Sequence, residues 1–334
     1  MSDAEVRPPA MSDVARVAGV SHQTVSRVMN RSPLVRPETA ERVRAAIDAL
    51  GYRPNRTARA LATQKSGLIG ILASGFPHMG PATTVASIEN FARAAGYSAV
   101  VSVHADPSSD EVATGIRAFA EHGVQGIAVV TPRRSTAETA LAEAHGIPTV
   151  LIADLVGVDT PAHLVAVDQA LGARLATQLL IDAGARSLLH ISGPTGWFDA
   201  DCRVRGWEAT LEAAGLTASE VLEGDWGPDR GYEIGCRLLR SPLPDAIFCA
   251  NDLTAIGLLA AFREGRVSVP GDVAVVGFDD IPPVRYLDPP LTTVRQPLEE
   301  LGERAVEVLL AAIAGGAPTV HALTPELIVR GSTR

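Results

Sequence analysis

Eight short apolar runs, each suited to a buried strand, recur between residue 67 and the end of the chain. They are LIGILAS, SAVVSV, GIAVV, PTVLIA, LVAVD, SLLHISG, AIFCAND and VAVVGFDD. Helical segments of roughly 10 to 16 residues alternate with them, a pattern that predicts parallel sheets covered by helices on both faces. Because this stretch is too long for one sheet, we expect two α/β lobes with a ligand between them, at the carboxyl ends of the strands.

Polar residues end two of these runs, where burial without a partner is costly. Asn251 and Asp252 end one run, and Asp279 and Asp280 end another. Side-chain amides and carboxylates bind neutral hydroxyl groups, so these residues are candidates for the cleft. Asp252 and Asp280 are equally suited to cap the next helix or to brace the fold.

Arginine and tryptophan supply the other parts of a sugar site. Arg203 has a planar fork of donors that can hold two adjacent hydroxyls, and Trp226 offers an aromatic face. Trp197 either lines the pocket or covers it, and Trp207 is expected in the core. Asp154 and Asp168 are expected at the hinge or at the pocket edge.

Two carboxylates are expected to point into the cleft, those of Asp199 and Asp279. They would repel a phosphorylated or carboxylated ligand unless Arg203 neutralised it. The residues therefore favour a neutral sugar.

Residues 11–53 predict three short helices around a small core. Ser12 is expected to cap the first helix and Ser21 the second, with Gly19 in the turn between them. The third helix is expected to begin at Pro37 and to end at Gly51. Two short helices joined by a glycine turn are the helix-turn-helix arrangement, whose second helix enters the major groove of DNA.

The exposed face of the second helix carries residues that read bases. Gln23 can pair with adenine and Arg27 with guanine, and His22 either contacts a base or is merely solvated. Phosphate contacts are expected from Thr24, Ser26, Asn30 and Arg31. The candidate DNA-contacting residues are Ser12, Ser21, His22, Gln23, Thr24, Ser26, Arg27, Asn30, Arg31, Tyr52, Asn55, Arg56, Ala58 and Leu61.

Residues 54–66 form a basic segment with one short helix-compatible stretch. An apolar Leu61 beside arginines is what a wedge in the minor groove requires. An isolated helix this short is marginal in water, so it is expected to order on DNA or on a partner chain.

The formal charge of the whole chain is −9, but it is unevenly distributed. Residues 1–65 contain eleven Arg or Lys and six Asp or Glu, a balance of +5. Residues 66–334 contain 18 Arg or Lys and 32 Asp or Glu, a balance of −14. A basic head on an acidic body suits a DNA-binding protein.

The stretches VARVAGVSHQTVSRVMN and GYRPNRTARALA resemble the DNA-binding head and hinge helix of the LacI/GalR family of bacterial repressors. The resemblance covers essentially the whole chain and is closest to the lactose-responsive branch. It implies a periplasmic-binding-protein-like (type I) effector domain, and a homodimer on pseudo-palindromic operator DNA whose hinge helices pair in the minor groove, with Leu61 kinking the central step. Because the longer branch members carry a terminal leucine heptad segment that this sequence lacks, a dimer is expected.

The resemblance also sets the expected domain bounds. Residues 1–10 form a disordered tail, 11–53 the helix-turn-helix domain, 54–66 the hinge helix and linker, and 67–334 the effector and dimerisation domain. The N-lobe is expected at about 67–165 and 296–322, and the C-lobe at about 166–295 and 323–334.

Positions that contact the effector in the family match Arg203, Trp226, Asn251, Asp279 and Gln296. Where one family member has a small hydroxyl residue, this chain has Asp199, and the loop from Ser74 to Pro81 also departs from the family's apolar wall. The full set of expected effector-binding residues is His78, Pro81, Asp154, Trp197, Asp199, Arg203, Trp226, Asn251, Asp279 and Gln296.

These observations predict a cytoplasmic repressor of carbohydrate-utilisation genes that a small sugar releases from DNA. A corepressor mechanism, in which the ligand promotes DNA binding, is the alternative within the family. A glycosidase built on Asp279 and Asp280 is disfavoured, because adjacent residues at a strand end point in different directions. No enzyme activity, cofactor or metal is expected.

Overall fold

The computed structural model describes residues 9–29, 32–53, 65–75, 78–153, 162–217 and 220–333. The chain divides into two compact units, Met1–Ser66 and Gly67–Arg334, and each is described by itself. Among the described residues, no helix is both long enough and apolar enough to cross a membrane.

The first unit, which we call the head, contains three helices in its described residues. They are α1 (Met11–Ala18), α2 (His22–Met29) and α3 (Pro37–Leu50). Val14, Val25 and Val43, one from each helix, are fully buried against one another. Because each helix has one apolar face, three helices suffice to close this small core.

The helix ends in the head confirm two of the three expected caps. The Ser21 hydroxyl accepts a hydrogen bond from the backbone N–H of Thr24 at 3.2 Å, as an N-cap does. Pro37 begins α3, and Gly51 ends it with a left-handed φ of 61°. The expectation for Ser12 was wrong: α1 begins at Met11, after Ala10, and Ser12 lies exposed in its first turn.

The first turn of α1 is stabilised by Asp13 in place of a capping serine. Its carboxylate accepts the backbone N–H of Ala10 at 2.9 Å, and an acidic group suits the positive end of the helix dipole. The side chain of Ala10 is a methyl group and cannot accept a hydrogen bond, so the cap interaction here runs only from Asp13 back to the backbone.

The second unit contains two lobes, each built on a six-stranded sheet within the described residues. The N-lobe sheet has the strand order β11-β5-β4-β3-β1-β2 and is parallel throughout. Its strands are β1 (Leu68–Ala73), β2 (Ser98–Val103), β3 (Ile127–Val130), β4 (Thr149–Ile152), β5 (His163–Val167) and β11 (Val320–Leu323). Its helices are α4 (Met79–Ala94), α5 (Ser109–Glu121), α6 (Arg134–Glu143) and α11 (Leu298–Ile313).

The C-lobe sheet has the order β12-β10-β9-β8-β6-β7, in which only β12 runs antiparallel to its neighbour among the described strands. Its strands are β6 (Leu188–Ser192), β7 (Val221–Glu223), β8 (Ala246–Cys249), β9 (Ala274–Asp279), β10 (Thr292–Arg295) and β12 (Glu326–Ile328). Its helices are α7 (Gln169–Asp182), α8 (Phe198–Ala213), α9 (Pro228–Leu238) and α10 (Asp252–Glu264), with a 3₁₀ turn at Pro282–Tyr286.

The chain passes between the two lobes three times in the described residues. The first passage lies between β5 and α7, the second between β10 and α11, and the third between β11 and β12. Since parallel strands share one carboxyl edge, the residues that follow the strands of each lobe gather on the side where the lobes meet.

Helices α9 and α10 of the C-lobe pack backbone against backbone through two glycines. A Cβ atom on Gly257 would overlap the carbonyl oxygen of Pro228, and one on Gly231 would overlap that of Thr254. This close contact holds α10 in place, and α10 begins directly after the cavity residue Asn251.

We expect Gly257→Ala to lower the free energy of unfolding by roughly 2 to 3 kcal/mol, because a backbone carbonyl cannot move aside as a flexible side chain would. Urea unfolding of the purified chain measures the change. Gly80→Ala is the control, since a Cβ atom there meets nothing within 4 Å. Equal losses in the two variants would contradict the close-packing argument.

Candidate functional site

The head presents the polar face of α2 to solvent. His22, Gln23 and Arg27 are exposed, and Thr24 and Ser26 are half-buried. The hydroxyl of Ser21 also lies 2.9 Å from that of Thr24, which ties the first turn of the helix together. Gln23 and Arg27 thus stand where a helix-turn-helix places base-reading side chains.

Tyr52 differs from the other candidate DNA contacts because it is only 7% exposed and packs within the core of the head. Packing within this unit explains its position, and the burial could not be predicted from a local pattern because Tyr52 follows the end of α3; its contact with DNA stays a prediction. Asn30, Arg31, Asn55, Arg56, Ala58, Leu61 and the effector candidate Asp154 lie outside the described residues.

A cavity lies in the second unit between the carboxyl edges of the two sheets; its empty space, including the part open to solvent, is about 870 Å³. Nine expected effector-binding residues are described, and all nine line it: His78, Pro81, Trp197, Asp199, Arg203, Trp226, Asn251, Asp279 and Gln296.

The guanidinium of Arg203 is the most strongly constrained group in the cavity, because Arg203 is 2% exposed. Its Nη1 donates to the backbone carbonyl of Ala250, and its Nε donates to Oε1 of Gln169 at 3.0 Å. Its Nη2 lies 3.9 Å from a carboxylate oxygen of Asp279, a distance at the limit of an ion pair. The guanidinium also lies over the ring of Phe278, 3.7 Å from its centroid.

Gln169 lines the cavity and was missed in the sequence analysis. Its Nε2 donates to Oε1 of Gln296 at 2.8 Å, and Nε2 of Gln296 donates to Oδ1 of Asp279 at 2.7 Å. The signal was present, because Gln169 follows the apolar run LVAVD just as Asn251 follows its own run. Asp168, which we expected at the hinge or at the pocket edge, lies in the first passage between the lobes and caps α7 by accepting the N–H of Leu171 at 2.7 Å.

Burial raises the pKa of both cavity carboxylates. The pKa of Asp279 is raised to about 6 by burial and by the neighbouring Asp199, against the opposing effects of Arg203 and of the hydrogen bond from Gln296. Burial also raises the pKa of Asp199, again opposed by Arg203. Each carboxylate therefore holds its proton more tightly than it would in water.

Aromatic rings form one wall of the cavity. The Trp197 and Trp226 ring centroids lie 5.6 Å apart at 54°, and the ring of His78 meets Trp197 edge-on at 5.3 Å. Burial lowers the pKa of His78, an effect that Asp225 opposes. Trp197 therefore lines the pocket and also contacts the N-lobe through His78.

The contact between the lobes continues beside Trp197. The backbone N–H of Phe198 donates to the carbonyl of Pro132 at 2.8 Å. The guanidinium of Arg134 lies 5.7 Å from the centroid of the Phe198 ring. The start of α8 thus touches the N-lobe at the mouth of the cavity.

The remaining polar strand ends brace the fold. Oδ1 of Asn251 caps α10 by accepting the N–H of Thr254, while its Nδ2 donates to the carbonyl of Trp226. Asp252 accepts the N–H of Ile281 and the hydroxyl of Thr293, and burial raises its pKa to about 8. Asn251 therefore positions Trp226 as well as facing the cavity.

Asp279 and Asp280 point in different directions, as adjacent residues at a strand end usually do. Asp279 faces the cavity, whereas Asp280 is held by Arg295 at 2.7 Å and by Arg330. The two carboxylates therefore cannot flank a single glycosidic bond. Trp207 is fully buried in the C-lobe core, as expected.

A helix-turn-helix head and a two-lobed domain with a polar cavity define a DNA-binding regulator that responds to a small molecule. The family of bacterial regulatory proteins named after LacI matches residues 10–55, and the periplasmic binding protein-like domain matches residues 177–333. The chain belongs to the LacI family and is a DNA-binding transcriptional repressor, so the expectation that it is not an enzyme is confirmed.

Three comparisons illustrate this membership. The ribose operon repressor of Escherichia coli is 34% identical over 96% of this chain and 99% of its own length. The HTH-type transcriptional repressor PurR of Haemophilus influenzae is 33% identical over 97% and 98%. A crystal structure of the lac repressor dimer bound to operator and the anti-inducer ONPF has a TM-score of 0.89 and 32% identity, over 98% of this chain and 99% of that one.

The raised pKa of Asp279 predicts how stability depends on pH. In the unfolded chain this carboxyl returns to its ordinary value of 3.8, so between about pH 4 and pH 6 the folded state binds more protons than the unfolded state. The stabilisation is fully present below pH 4 and is lost as the pH rises through 6.

We therefore expect the parent chain to lose roughly 2 kcal/mol of stability relative to Asp279→Asn as the pH rises from 4 to 6, since each pKa unit corresponds to about 1.36 kcal/mol and both ends of this range lie close to a pKa. Urea unfolding of both proteins at several pH values gives the difference. Two stability profiles that run parallel across this range would show that Asp279 titrates normally.

Proposed function

We propose that a small neutral sugar binds in the cavity and releases this repressor, as a homodimer, from a pseudo-palindromic operator that controls carbohydrate-utilisation genes. The observation that carries the proposal is the state of Arg203. Its guanidinium is buried and already bound to Ala250, Gln169 and Asp279. A site whose cation is engaged in this way suits a ligand without charge.

The charges around the cavity support the same choice. Among the described lining residues, Arg203 and His78 are the only groups that can carry positive charge, and Asp199 and Asp279 can carry negative charge. Because the pKa of His78 is lowered, its ring is largely neutral near pH 7. An anionic ligand would therefore face two carboxylates with one cation already in use.

Hydroxyl groups match the hydrogen-bonding groups of the lining. Carboxylate oxygens of Asp199 and Asp279 accept from a hydroxyl, and the amides of Asn251 and Gln296 can donate or accept. The tilted ring of Trp226 offers the apolar face of a sugar a surface to pack on. The ribose operon repressor, by its name, belongs to a sugar operon, which agrees with this ligand class.

DNA binding is proposed to run through the exposed face of α2. Gln23 and Arg27 would read bases, and Thr24, Ser26, Asn30 and Arg31 would contact phosphates, within a region whose residues 1–65 carry a balance of +5. The similar lac repressor structure is a dimer bound to operator, which supports the same assembly here. Residues 54–66, with Leu61 as the wedge, would pair in the minor groove.

Release requires the sugar to prefer the conformation that cannot bind DNA, by about 1 to 3 kcal/mol or more. A corepressor has the opposite preference. Induction and corepression are tested with a panel of D-ribose, D-galactose, D-glucose and lactose. Each sugar is scored first by thermal shift and then by release of a labelled operator fragment. Tighter DNA binding with the bound sugar would replace induction by corepression, and no binding of any sugar would overturn the ligand class.

We expect Arg203→Ala to abolish the response to the sugar that binds, because it removes the central donor of the cavity, while operator affinity without sugar stays unchanged. Arg205→Ala is the matched control, since Arg205 lies on the same helix and is exposed. Operator release by the Arg203 variant at the concentration that suffices for the parent would show that the ligand binds elsewhere.

We expect Arg27→Ala to weaken operator binding by roughly 1 to 3 kcal/mol and to relax the preference at one base position. Selection from a randomised operator library measures both effects. Arg44→Ala, an exposed arginine on α3, should leave the base preference intact. An unchanged preference in the Arg27 variant would remove Arg27 from the base readers.

A further inference from the structure

Four side chains form a closed circuit at the base of the cavity. Arg203 donates to Gln169, Gln169 donates to Gln296, and Gln296 donates to Asp279, over distances of 3.0, 2.8 and 2.7 Å. The circuit closes where Oδ1 of Asp279 lies 3.9 Å from Nη2 of Arg203. Gln169 is 3% exposed, so its amide depends on these partners for its hydrogen bonds.

The direction of this circuit is fixed by the chemistry of its two charged members. A guanidinium only donates, so the oxygen of Gln169 must face Arg203 and its nitrogen must face Gln296. A carboxylate only accepts, so the nitrogen of Gln296 must face Asp279 when that group is ionised. Neither amide can flip without breaking two hydrogen bonds at once.

The two amides lie on two of the three passages between the lobes. Gln169 is the first residue of α7, directly after the N-lobe strand β5. Gln296 directly follows the C-lobe strand β10, ahead of α11 in the N-lobe. The bond from Gln169 to Gln296 therefore joins the first passage to the second, while Arg203 and Asp279 at its ends face the cavity.

We propose that Gln169 is a positioning residue that couples the ligand-facing pair Arg203 and Asp279 to the passages between the lobes. It orients Arg203 through its oxygen and, through Gln296, orients Asp279. A ligand that changes the hydrogen bonds of either charged group changes the bond that joins the two passages. This inference rests on the proposed function, because it describes how the same cavity acts on DNA binding.

The first test compares Gln169→Leu with Gln178→Leu. Leucine fills a similar volume without hydrogen bonds, and Gln178 is an exposed glutamine on the same helix, bound to Asp182 at 2.7 Å. The probe is whichever of D-ribose, D-galactose, D-glucose and lactose most raises the melting temperature of the parent chain. The coupling factor is the ratio of its dissociation constants with and without operator DNA.

Coupling factors between sites are typically about 5- to 150-fold. We expect Gln169→Leu to lower the coupling factor to below about threefold and to lower the affinity for the sugar. Its affinity for operator DNA without sugar should stay unchanged. Gln178→Leu should behave as the parent. A Gln169→Leu protein that keeps the parent's coupling factor would overturn the proposal.

Gln169→Glu separates the two halves of the role. Glutamate still accepts from Arg203 but, when ionised, cannot donate to Gln296. We expect it to keep sugar affinity closer to the parent than Gln169→Leu does, and to lose the coupling factor to the same extent. If the coupling factor followed thermal stability across the three variants, Gln169 would have only a structural role.

A measurement without any sugar keeps this inference separate from the proposed ligand class. The groups that act on the charge of Asp279 are Arg203, Asp199 and Gln296, and Asp279 in turn helps to raise the pKa of the buried Asp252. Without Gln169 the Gln296 amide is free to turn, so the Asp279 carboxylate loses a hydrogen-bond donor. The titration of Asp279 then moves to higher pH. The stability difference between each protein and its Asp279→Asn derivative, followed against pH, reports this titration.

We expect the titration of Asp279 to move to higher pH in Gln169→Leu and to stay where it is in Gln178→Leu. An unmoved titration would overturn the proposal even where no sugar of the panel binds. A moved titration with no sugar bound would instead retain the positioning role and reject the ligand class.

Discussion

The buried guanidinium of Arg203 is the constraint on which the cavity depends. A charge that is 2% exposed has to be satisfied by partners within the protein. Ala250 after β8, Gln169 at the start of α7, and Phe278 and Asp279 at the end of β9 supply them. Because each partner is held in turn by its own hydrogen bonds, one charge fixes the geometry of the whole cavity floor.

The topology explains why these partners meet. Asn251, Asp279 and Gln296 follow neighbouring strands of the C-lobe sheet, and their side chains share its carboxyl edge. Gln169 follows β5 of the other sheet, yet it begins the helix that crosses to the C-lobe. A parallel sheet collects polar strand ends without any local sequence signal beyond the strand itself.

The longer apolar strands are the part of the fold that could be predicted from the sequence. The eight apolar runs correspond to β1–β6, β8 and β9, because long apolar runs have no other stable place than a sheet covered on both faces. Strands β7, β10, β11 and β12 were not predicted, since each has only three or four residues; three of them lie at a sheet edge, and β10 lies next to one. Gln169 was missed although it follows an apolar run, because Asp168 ends that run and offers the same signal, and because the partners of Gln169 lie up to 127 residues away in the sequence. The burial of the Tyr52 ring could not be predicted for a similar reason, since only the packing of the three helices shows it.

The composition of the circuit suits a site that has to change state. Breaking a buried, hydrogen-bonded ion pair typically costs about 3 to 5 kcal/mol, more than the 1 to 3 kcal/mol by which one small ligand usually couples two sites. In this chain the Arg203 and Asp279 charges stay 3.9 Å apart, and neutral amides carry the short contacts between them. The hydrogen bond between the two neutral amides contributes about 1 kcal/mol, and the bond from each amide to its charged neighbour contributes about 1.5 to 3 kcal/mol. The circuit thus holds Arg203 and Asp279 in place through bonds weak enough for a small sugar to exchange.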